Sequence, residues 1–260
     1  MHIKDSVVVI TGATSGIGES AAWLFAQKGA RVVLAARTES KLRSLCKQLG
    51  DDALAVPCDV KDGEQVRNLV TKTREKFGRV DILINSAGVG CAGTIEKVEC
   101  ENARSVMELN VLGPLLTMQQ VIPLMKENGG GLIMNVSSMI TKTCTRGSGA
   151  YRASKCALDA LSQAARVELR KHNIRVTTVY PGLTDTNFFS NTLGNESGGK
   201  ADDALRKRMR SSRFVAERIL DGAREEPRIV YMGFRSRVGA FAYSVAPGAL
   251  EYLLNRKSRG

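Results

Sequence analysis

The sequence predicts an α/β protein built on a doubly wound, parallel seven-stranded sheet with helices on both faces. Short apolar runs recur along the chain, and strands that are buried on both faces of a parallel sheet have this character. Longer segments between them place apolar residues three and four positions apart, as amphipathic helices do. The runs are 7–10, 32–35, 54–56, 82–84, 132–136, 176–179 and 229–232, and the helical spacing is clearest in 20–28 and 154–170.

Length and composition fit a single large globular domain. The chain has 260 residues, of which 43% are hydrophobic and 25% charged, and these values exclude disordered and fibrous classes. We expect one dinucleotide-binding and catalytic domain in 1–235, followed by an apolar and basic C-terminal extension, 236–260. The 6 cysteines include no C-x-x-C pair, which predicts reduced thiols rather than a zinc site or disulfides. With no signal-peptide pattern at the start, we expect a cytoplasmic protein. We also expect that it needs no metal.

The net charge of +12 would attract polyanions in general. A nucleic-acid partner is the weakest interpretation, because no recognition motif accompanies the charge. The apolar segment 238–254 carries one charge, Glu251, and is interrupted by Pro247 and Gly248. It is too short and broken to predict a membrane-spanning helix. Two interpretations stay open: the tail packs on the domain or in a subunit interface, or it contacts an anionic membrane surface peripherally.

A glycine-rich turn follows the first apolar run and precedes a helical pattern. Residues 11–18 read T-G-A-T-S-G-I-G. Glycine permits a tight turn and close backbone approach, and the N-terminus of the following helix offers free N–H groups to a pyrophosphate. The turn therefore predicts a dinucleotide site formed by Gly12, Thr14, Ser15, Gly16, Ile17 and Gly18.

The end of the second run indicates which dinucleotide binds. A carboxylate at this position would bind a free ribose 2′-hydroxyl, but here the neutral Ala36 is followed by Arg37. A guanidinium favours a 2′-phosphate, which predicts NADP rather than NAD. The alternative is that Arg37 is a solvated surface charge.

Tyr151 and Lys155 stand four residues apart, so a helix would place both on one face. A nearby ammonium stabilises phenolate and should lower the tyrosine pKa from about 10. Tyr151 is therefore a candidate general acid or base. The pair alone is weak support, because such spacings occur by chance.

In order and spacing, these motifs resemble those of the short-chain dehydrogenase/reductase family over nearly the whole chain. Asp59-Val60, the N-S-A-G segment 85–88, Asn110, Ser138 and Pro181-Gly182 complete the match. The resemblance implies a Rossmann-type fold and hydride transfer between NADP and a carbonyl or secondary alcohol, with Tyr151 moving the proton. Ser138 would stabilise the substrate oxygen and is preferred to Ser137, because strand side chains alternate between faces.

The family likeness assigns further roles. Lys155 would lower the pKa of Tyr151 and hold the nicotinamide ribose, and Asn110 would break its helix locally and position a water for the proton relay. The alternative for Asn110 is a satisfied polar residue that packs against the next helix. The cofactor contacts that the resemblance implies beyond the turn and Arg37 are Asp59, Val60, Asn85, Ala87, Gly88, Tyr151, Lys155, Pro181, Gly182, Thr184 and Thr186. Ser86 and Thr184 depart from the residues common at their positions, a second Asn and an apolar residue.

We expect the substrate to bind between loops 89–93 and 139–148 and a lid at 187–200, all beyond the carboxyl ends of strands. Cys91, Met139, Ile140, Phe188 and Phe189 make this space partly apolar, with Cys144 as a wall or bystander. The leading hypothesis is a reductase or dehydrogenase for a moderately apolar ketone or alcohol. A 3-oxoacyl thioester reductase of lipid synthesis and an NADP-binding regulator without turnover are the alternatives. The resemblance also implies a homodimer or homotetramer formed through the helices around Asn110 and Tyr151.

Overall fold

A computed structural model describes residues 1–143, 145–194, 207, 209–249 and 252, and it confirms the predicted α/β class. Within these residues, seven strands form one parallel sheet in the order β3-β2-β1-β4-β5-β6-β9, and β7 and β8 form a separate short pair. All seven predicted runs are strands of the main sheet. The strands are β1 (Val7–Thr11), β2 (Arg31–Ala36), β3 (Ala53–Pro57), β4 (Ile82–Asn85), β5 (Gly131–Val136), β6 (Ile174–Tyr180), β7 (Thr184–Asp185), β8 (Arg210–Ser211) and β9 (Ile229–Tyr231).

Helices cover both faces of the sheet. They are α1 (Gly16–Gln27), α2 (Glu39–Leu49), α3 (Gly63–Phe77), α4 (Cys100–Met107), α5 (Gly113–Glu127), α6 (Gly149–Glu168), α7 (Ser212–Glu225) and α8 (Phe234–Val245). Alternate residues of β1 point to opposite faces, where Val8 packs with α1 and α7 and Val9 packs with α3 and α5. The sheet therefore has an apolar core on each side, which explains why its strands are continuous apolar runs.

Capping residues fix the ends of α3, which the spacing of apolar residues alone does not define. At the start of α3, the carboxylate of Asp62 accepts hydrogen bonds from the backbone N–H groups of Glu64 at 2.9 Å and Gln65 at 3.2 Å. These bonds satisfy two amide groups that have no partner inside the helix. The helix ends at Gly78, whose φ of 75° is easily adopted only by glycine.

A chain of buried polar side chains crosses the centre of the molecule. The Thr117 hydroxyl of α5 donates to Oδ1 of Asn85 in β4 at 2.7 Å, and Nδ2 of Asn85 donates to Oδ1 of Asn135 in β5 at 2.9 Å. Nδ2 of Asn135 donates to the Ser162 hydroxyl of α6 at 2.8 Å. The side chain of Asn85, expected beside the cofactor ribose, is thus turned into the core. This side chain is therefore not available to a cofactor, so a contact of Asn85 with the ribose would have to come from its backbone.

The C-terminal extension begins as an ordered helix. α8 starts at Phe234, just before the predicted boundary at 235, and packs against a 3₁₀ turn, Met139–Lys142, that follows β5. A guanidinium N–H of Arg152 in α6 donates to the hydroxyl of Tyr243 at 2.6 Å. Several predicted features lie outside the described residues: Cys144, the lid from 195 onward, and most of the extension beyond 249.

Candidate active site

The glycine-rich turn lies where the chain segments after β1, β4 and β6 meet. Gly12 and Gly16 have φ values of 67° and 56°. A Cβ on Gly12 would lie 2.9 Å from the Cα of Ala87, and a Cβ on Gly16 would lie 2.8 Å from the Cγ2 of Thr186. A Cβ on Gly18 would overlap the carbonyl oxygen of Gly12. Each glycine is therefore needed for the close approach of another backbone or side chain.

The start of α1 keeps its backbone N–H groups available to an anion. Ser15 occupies the N-cap position, but its side chain makes no capping hydrogen bond. Thr14, Ser15 and Ile17 are partly or fully exposed around this end. A bare helix N-terminus beside closely packed glycines fits the pyrophosphate of a dinucleotide, as the sequence predicted.

Thr11 was not singled out from the sequence, yet it joins the turn to the segment after β4. Its hydroxyl oxygen accepts hydrogen bonds from the backbone N–H groups of Ser86 at 3.1 Å and Ala87 at 3.2 Å. The side chain is buried, with 1% exposed. Position 11 therefore fixes where Ala87 and Gly88 lie relative to the glycines.

A cation lies exposed at the carboxyl end of β2. Arg37 follows β2 directly, is exposed, and has no hydrogen bond or ion pair with any residue that the structure describes. Asp59 follows β3, and its Oδ1 accepts from the backbone N–H of Lys61 at 3.0 Å. Val60 is buried against Gly113, where a Cβ would lie 2.8 Å from its Cγ2. The carboxyl ends of β2 and β3 thus present Arg37 and Asp59 at one edge of the sheet.

Ser138 and Tyr151 meet at the carboxyl end of β5. The side chain of Ser138 lies close enough to the Tyr151 hydroxyl to act on the pKa of Tyr151, and Oγ of Ser138 accepts from the backbone N–H of Ile140 at 3.2 Å. The hydroxyl of Ser137 is instead buried, with no hydrogen-bond partner among the residues that the structure describes. Ser138 is therefore the serine that shares the site with Tyr151.

Lys155 lies one helical turn beyond Tyr151 and is buried, with 5% exposed. Its Nζ donates to the carbonyl oxygen of Val136 at 2.9 Å and lies 6.0 Å from the centre of the Tyr151 ring. Burial lowers the pKa of Lys155 to about 8, while the nearby charge of Asp159 acts in the opposite direction. The ammonium is thus held in place by the strand that carries Ser138 at its end.

The sequence led us to expect that Lys155 lowers the pKa of Tyr151. In the structure the net direction is opposite, because burial raises the pKa of Tyr151 to about 12 and the nearby side chain of Ser138 offsets only part of the rise. Desolvation of the phenolate outweighs the stabilising contacts. Tyr151 is therefore firmly protonated, which suits a proton donor.

Asn110 lies in a single turn of π-helix, Glu108–Leu112, between α4 and α5. Its Oδ1 accepts from the backbone N–H of Val89 at 3.0 Å, and its Nδ2 donates to the carbonyl oxygen of Val89 at 2.9 Å and to the Ser154 hydroxyl at 3.0 Å. The helix is locally broken here, and the side chain also contacts α6. A Cβ on Gly88 would lie 3.0 Å from Oδ1 of Asn110 and 3.4 Å from Nζ of Lys155.

Two further residues of α6 support the site and were missed from the sequence. The Ser154 hydroxyl donates to the carbonyl oxygen of Tyr151 at 2.7 Å. Asp159 is buried one turn after Lys155, accepts a hydrogen bond from the Tyr180 hydroxyl at 2.9 Å and pairs with Lys142 at 3.5 Å. Their position on the same helix as Tyr151 was visible, but their partners lie on other elements.

The wall opposite Tyr151 comes from the segment after β6. The ring centres of Tyr151 and Phe188 are 5.3 Å apart. The backbone of Leu193 pairs with the loop after β4, donating to Gly90 at 3.0 Å and accepting from Ala92 at 2.8 Å. The described part of the predicted lid, up to residue 194, therefore folds over the loop 89–93 beside Tyr151.

The remaining predicted cofactor contacts lie in the segment after β6, between Phe188 and the glycine-rich turn. The carbonyl oxygen of Pro181 accepts from the backbone N–H of Met139 at 2.8 Å, which joins the segment after β6 to the turn that follows Ser138. The Thr184 hydroxyl donates to the carbonyl oxygen of Gly182 at 3.0 Å. Thr186 packs against Gly16 and accepts from the backbone N–H of Phe188 at 3.3 Å. These residues connect the glycine turn to the lid.

A site for a nicotinamide dinucleotide beside a protonated tyrosine is typical of an oxidoreductase that acts on CH–OH or C=O groups. In reduction the carbon receives a hydride from the cofactor, and the neighbouring oxygen receives a proton from an acid such as tyrosine. The chain belongs to the short-chain dehydrogenase family, whose model matches residues 6–196. An uncharacterized oxidoreductase of Staphylococcus saprophyticus is 39% identical over 196 residues, covering 74% of this chain and 84% of the relative.

Solved structures agree with this membership. A 3-ketoacyl-(acyl-carrier-protein) reductase from Brucella melitensis, complexed with NADH, is 30% identical, covers 85% of this chain and 91% of its own, and superposes with a TM-score of 0.78. A short chain dehydrogenase from Burkholderia cenocepacia, in complex with NADP, is 27% identical, covers 98% and 99% of the two chains, and has a TM-score of 0.83.

Proposed function

We propose that this protein is an NADP(H)-dependent oxidoreductase that interconverts a carbonyl and a secondary alcohol on a moderately apolar substrate. The pairing of Ser138 with Tyr151, in which the Ser138 side chain acts to lower the Tyr151 pKa, carries the proposal. It brings two hydroxyl groups together at the end of β5, beside the buried ammonium of Lys155. A substrate oxygen placed between the two hydroxyls would meet a proton donor and a hydrogen-bond donor at once.

In the reductive direction, Tyr151 gives its proton to the substrate oxygen while Ser138 stabilises the charge that develops there. In the oxidative direction the hydroxyl proton of the alcohol moves to the phenolate form of Tyr151. Lys155 keeps its charge below its pKa of about 8, and this charge stabilises the phenolate that Tyr151 becomes during transfer. A bound nicotinamide supplies or accepts the hydride.

The residues around the glycine turn fit a nicotinamide dinucleotide. The N-terminus of α1 would hold the pyrophosphate, Asp59 and Val60 the adenine, and Tyr151 and Lys155 the nicotinamide ribose. Ala87 and Gly88 would lie beside the adenosine ribose, and Pro181, Gly182, Thr184 and Thr186 would lie along the nicotinamide end. The exposed and unpaired guanidinium of Arg37 supports NADP, since it has no other partner among the described residues. The solved relatives do not decide this preference, as one holds NADH and another NADP.

The substrate side is apolar, which supports a substrate of the same character. Phe188 packs beside Tyr151 and Phe189. Burial raises the pKa of the Cys91 thiol, which disfavours its thiolate form. Reduction of a 3-oxoacyl thioester is the second candidate, and the likeness to the Brucella reductase favours it. The presence of Ser138 beside Tyr151 counts against a regulator without turnover. A panel of simple ketones and an acyl-carrier thioester, followed by NADPH absorbance, separates the two substrates.

We also propose a homodimer or homotetramer formed through the helices around Asn110 and Tyr151. The exposed apolar side chains of Met107, Leu112 and Val167 on these elements support it, with 38%, 49% and 78% of their surfaces exposed.

Tyr151→Phe tests the proposed chemistry. Removal of the hydroxyl should lower turnover by a factor of about 10² to 10⁴ while NADPH still binds, as measured by quenching of cofactor fluorescence. Tyr252→Phe is the matched control, because Tyr252 is 67% exposed. Full activity in Tyr151→Phe would overturn the assigned role.

A further inference from the structure

One face of α8 carries an exposed apolar stripe. Phe234, Val238, Phe241 and Val245 follow one another at spacings of four, three and four residues, which places them on one side of the helix. Their side chains are 80%, 48%, 69% and 68% exposed. Amphipathic helices normally bury such a stripe, so a continuous exposed one marks an interaction surface.

The opposite face of α8 is fixed to the catalytic domain. Ala240 is buried, with 5% exposed, and Tyr243 accepts the 2.6 Å hydrogen bond from Arg152, the neighbour of Tyr151 in α6. The guanidinium of Arg152 also lies 5.6 Å from the centre of the Tyr243 ring. The helix is thus held in one orientation, and the stripe faces away from the domain.

The charges around the stripe are basic. Arg235 and Arg237 are exposed on either side of it, and the segment 233–249 contains no acidic residue. A cleft of about 1090 Å³ opens beside Phe234 and Phe241. Four of the described residues that line this cleft are basic and one is acidic: Lys142, Arg218, Arg228 and Arg237, against Glu225.

We infer that α8 docks this protein on the surface of an anionic lipid bilayer, with its apolar stripe in the acyl boundary and Arg235 and Arg237 at the headgroups. A second copy of the chain fits less well, because a two-fold contact through the stripe would place the basic flanks of both copies together. No helix within the described residues is long and apolar enough to cross a membrane. In this proposal α8 lies in the interface between the bilayer and water.

Docking in this way would bring the substrate wall close to the lipid. α8 packs on the 3₁₀ turn that follows Ser138, so the bilayer and the Ser138–Tyr151 pair would lie on connected elements. An apolar carbonyl or alcohol dissolved in the bilayer is the substrate class that this arrangement suits. This last step rests on the proposed function, whereas the docking itself does not.

Vesicle co-sedimentation of the full chain tests the docking without reference to activity. The protein should sediment with vesicles that contain phosphatidylglycerol and phosphatidylcholine, and much less with phosphatidylcholine alone. Phe234→Ser combined with Phe241→Ser should weaken the partition coefficient by at least about tenfold. Ile95→Ser is the matched control, because Ile95 is 82% exposed on another part of the surface.

The charge requirement has its own pair of variants. Arg235→Gln with Arg237→Gln should reduce the preference for anionic vesicles by about five- to twentyfold. Lys47→Gln with Lys72→Gln removes the same charge from exposed positions on α2 and α3 and should leave the preference unchanged. If the wild-type protein sediments with neither kind of vesicle, the inference is wrong. It is also wrong if a stripe variant binds normally, or if one changes oligomeric state in the absence of lipid, since the stripe would then be an interface between copies.

Discussion

Nδ2 of Asn110 donates a hydrogen bond to the hydroxyl of Ser154 at 3.0 Å, and that hydroxyl donates in turn to the carbonyl oxygen of Tyr151 at 2.7 Å. The π-helical turn between α4 and α5 is thereby connected to the backbone of the candidate proton donor. Because Asn110 also holds the backbone of Val89, one side chain positions both the loop after β4 and the start of α6.

Ser154→Ala should destabilise the protein and disturb Tyr151. It leaves one buried N–H of Asn110 without a partner, which costs about 1 to 3 kcal/mol in the free energy of unfolding. Urea unfolding measures this loss, and kcat should fall while KM for the substrate changes little. Ser40→Ala, at an exposed position, is the control. Equal stability of the two variants would contradict the prediction.

Gly18→Ala should damage the dinucleotide site. The added Cβ overlaps the carbonyl oxygen of Gly12, so the turn must move, and both stability and NADPH affinity should drop. We expect a loss of about 2 kcal/mol or more in the free energy of unfolding. Gly63→Ala is the control, since no atom lies within 4 Å of a Cβ there and alanine favours the helix. Calorimetry without NADPH measures the loss of stability, and the change on adding NADPH measures the loss of cofactor affinity.

Arg37→Ala should change the cofactor preference. Loss of a charge-assisted contact to the 2′-phosphate should weaken NADPH binding by about 10- to 100-fold and leave NADH binding nearly unchanged. Dissociation constants for both cofactors, obtained from fluorescence titrations, check this. Lys47→Ala removes an exposed charge on α2 and should change the affinity for neither cofactor. An unchanged ratio in Arg37→Ala would remove the NADP assignment.

The pH dependence of turnover should report Lys155. Its folded-state pKa of about 8 is lower than the ordinary 10.5, so the ammonium is present below pH 8 and is lost as the pH rises through that value. Turnover should therefore decline above pH 8. Asp159 raises the pKa of Lys155, so Asp159→Asn should move this decline to lower pH. Asp159→Asn also removes the negative charge that pairs with Lys142 at 3.5 Å and accepts from the Tyr180 hydroxyl at 2.9 Å.

The control for this profile is Glu168→Gln, an exposed carboxylate near the end of α6. Its alkaline limb should coincide with that of the wild type. A decline at the same pH in Asp159→Asn and wild type would show that Asp159 does not act on Lys155.

Periodicity and composition were enough to predict the main sheet, because each strand is apolar on both faces and is followed by a recognisable helix. The β7–β8 pair was not predicted, since each strand has only two residues and no pattern of its own. The glycine turn and the Tyr151–Lys155 spacing are local and were visible. The pairings of Asn110 with Ser154 and of Asp159 with Tyr180 join residues 44 and 21 positions apart, and no local signal marks such partners.

The pKa of Tyr151 illustrates a different limit of sequence reasoning. The neighbouring lysine was evident, but the depth of burial was not, and burial determines the direction of the shift. Spacing along a helix can place two groups together without specifying how much water remains around them.

The buried chain from Thr117 through Asn85 and Asn135 to Ser162 has a consequence for folding fidelity. Parallel strands made of valine, isoleucine and leucine could pair one residue out of step and still bury similar apolar area. Such a slip of β5 would turn Asn135 to the other face of the sheet. Nδ2 of Asn85 would then lose its acceptor and the Ser162 hydroxyl its donor, at a cost of about 1 to 3 kcal/mol each. The polar chain thus penalises misaligned sheets and selects the alignment in which the ends of β4 and β5 can form a site at all.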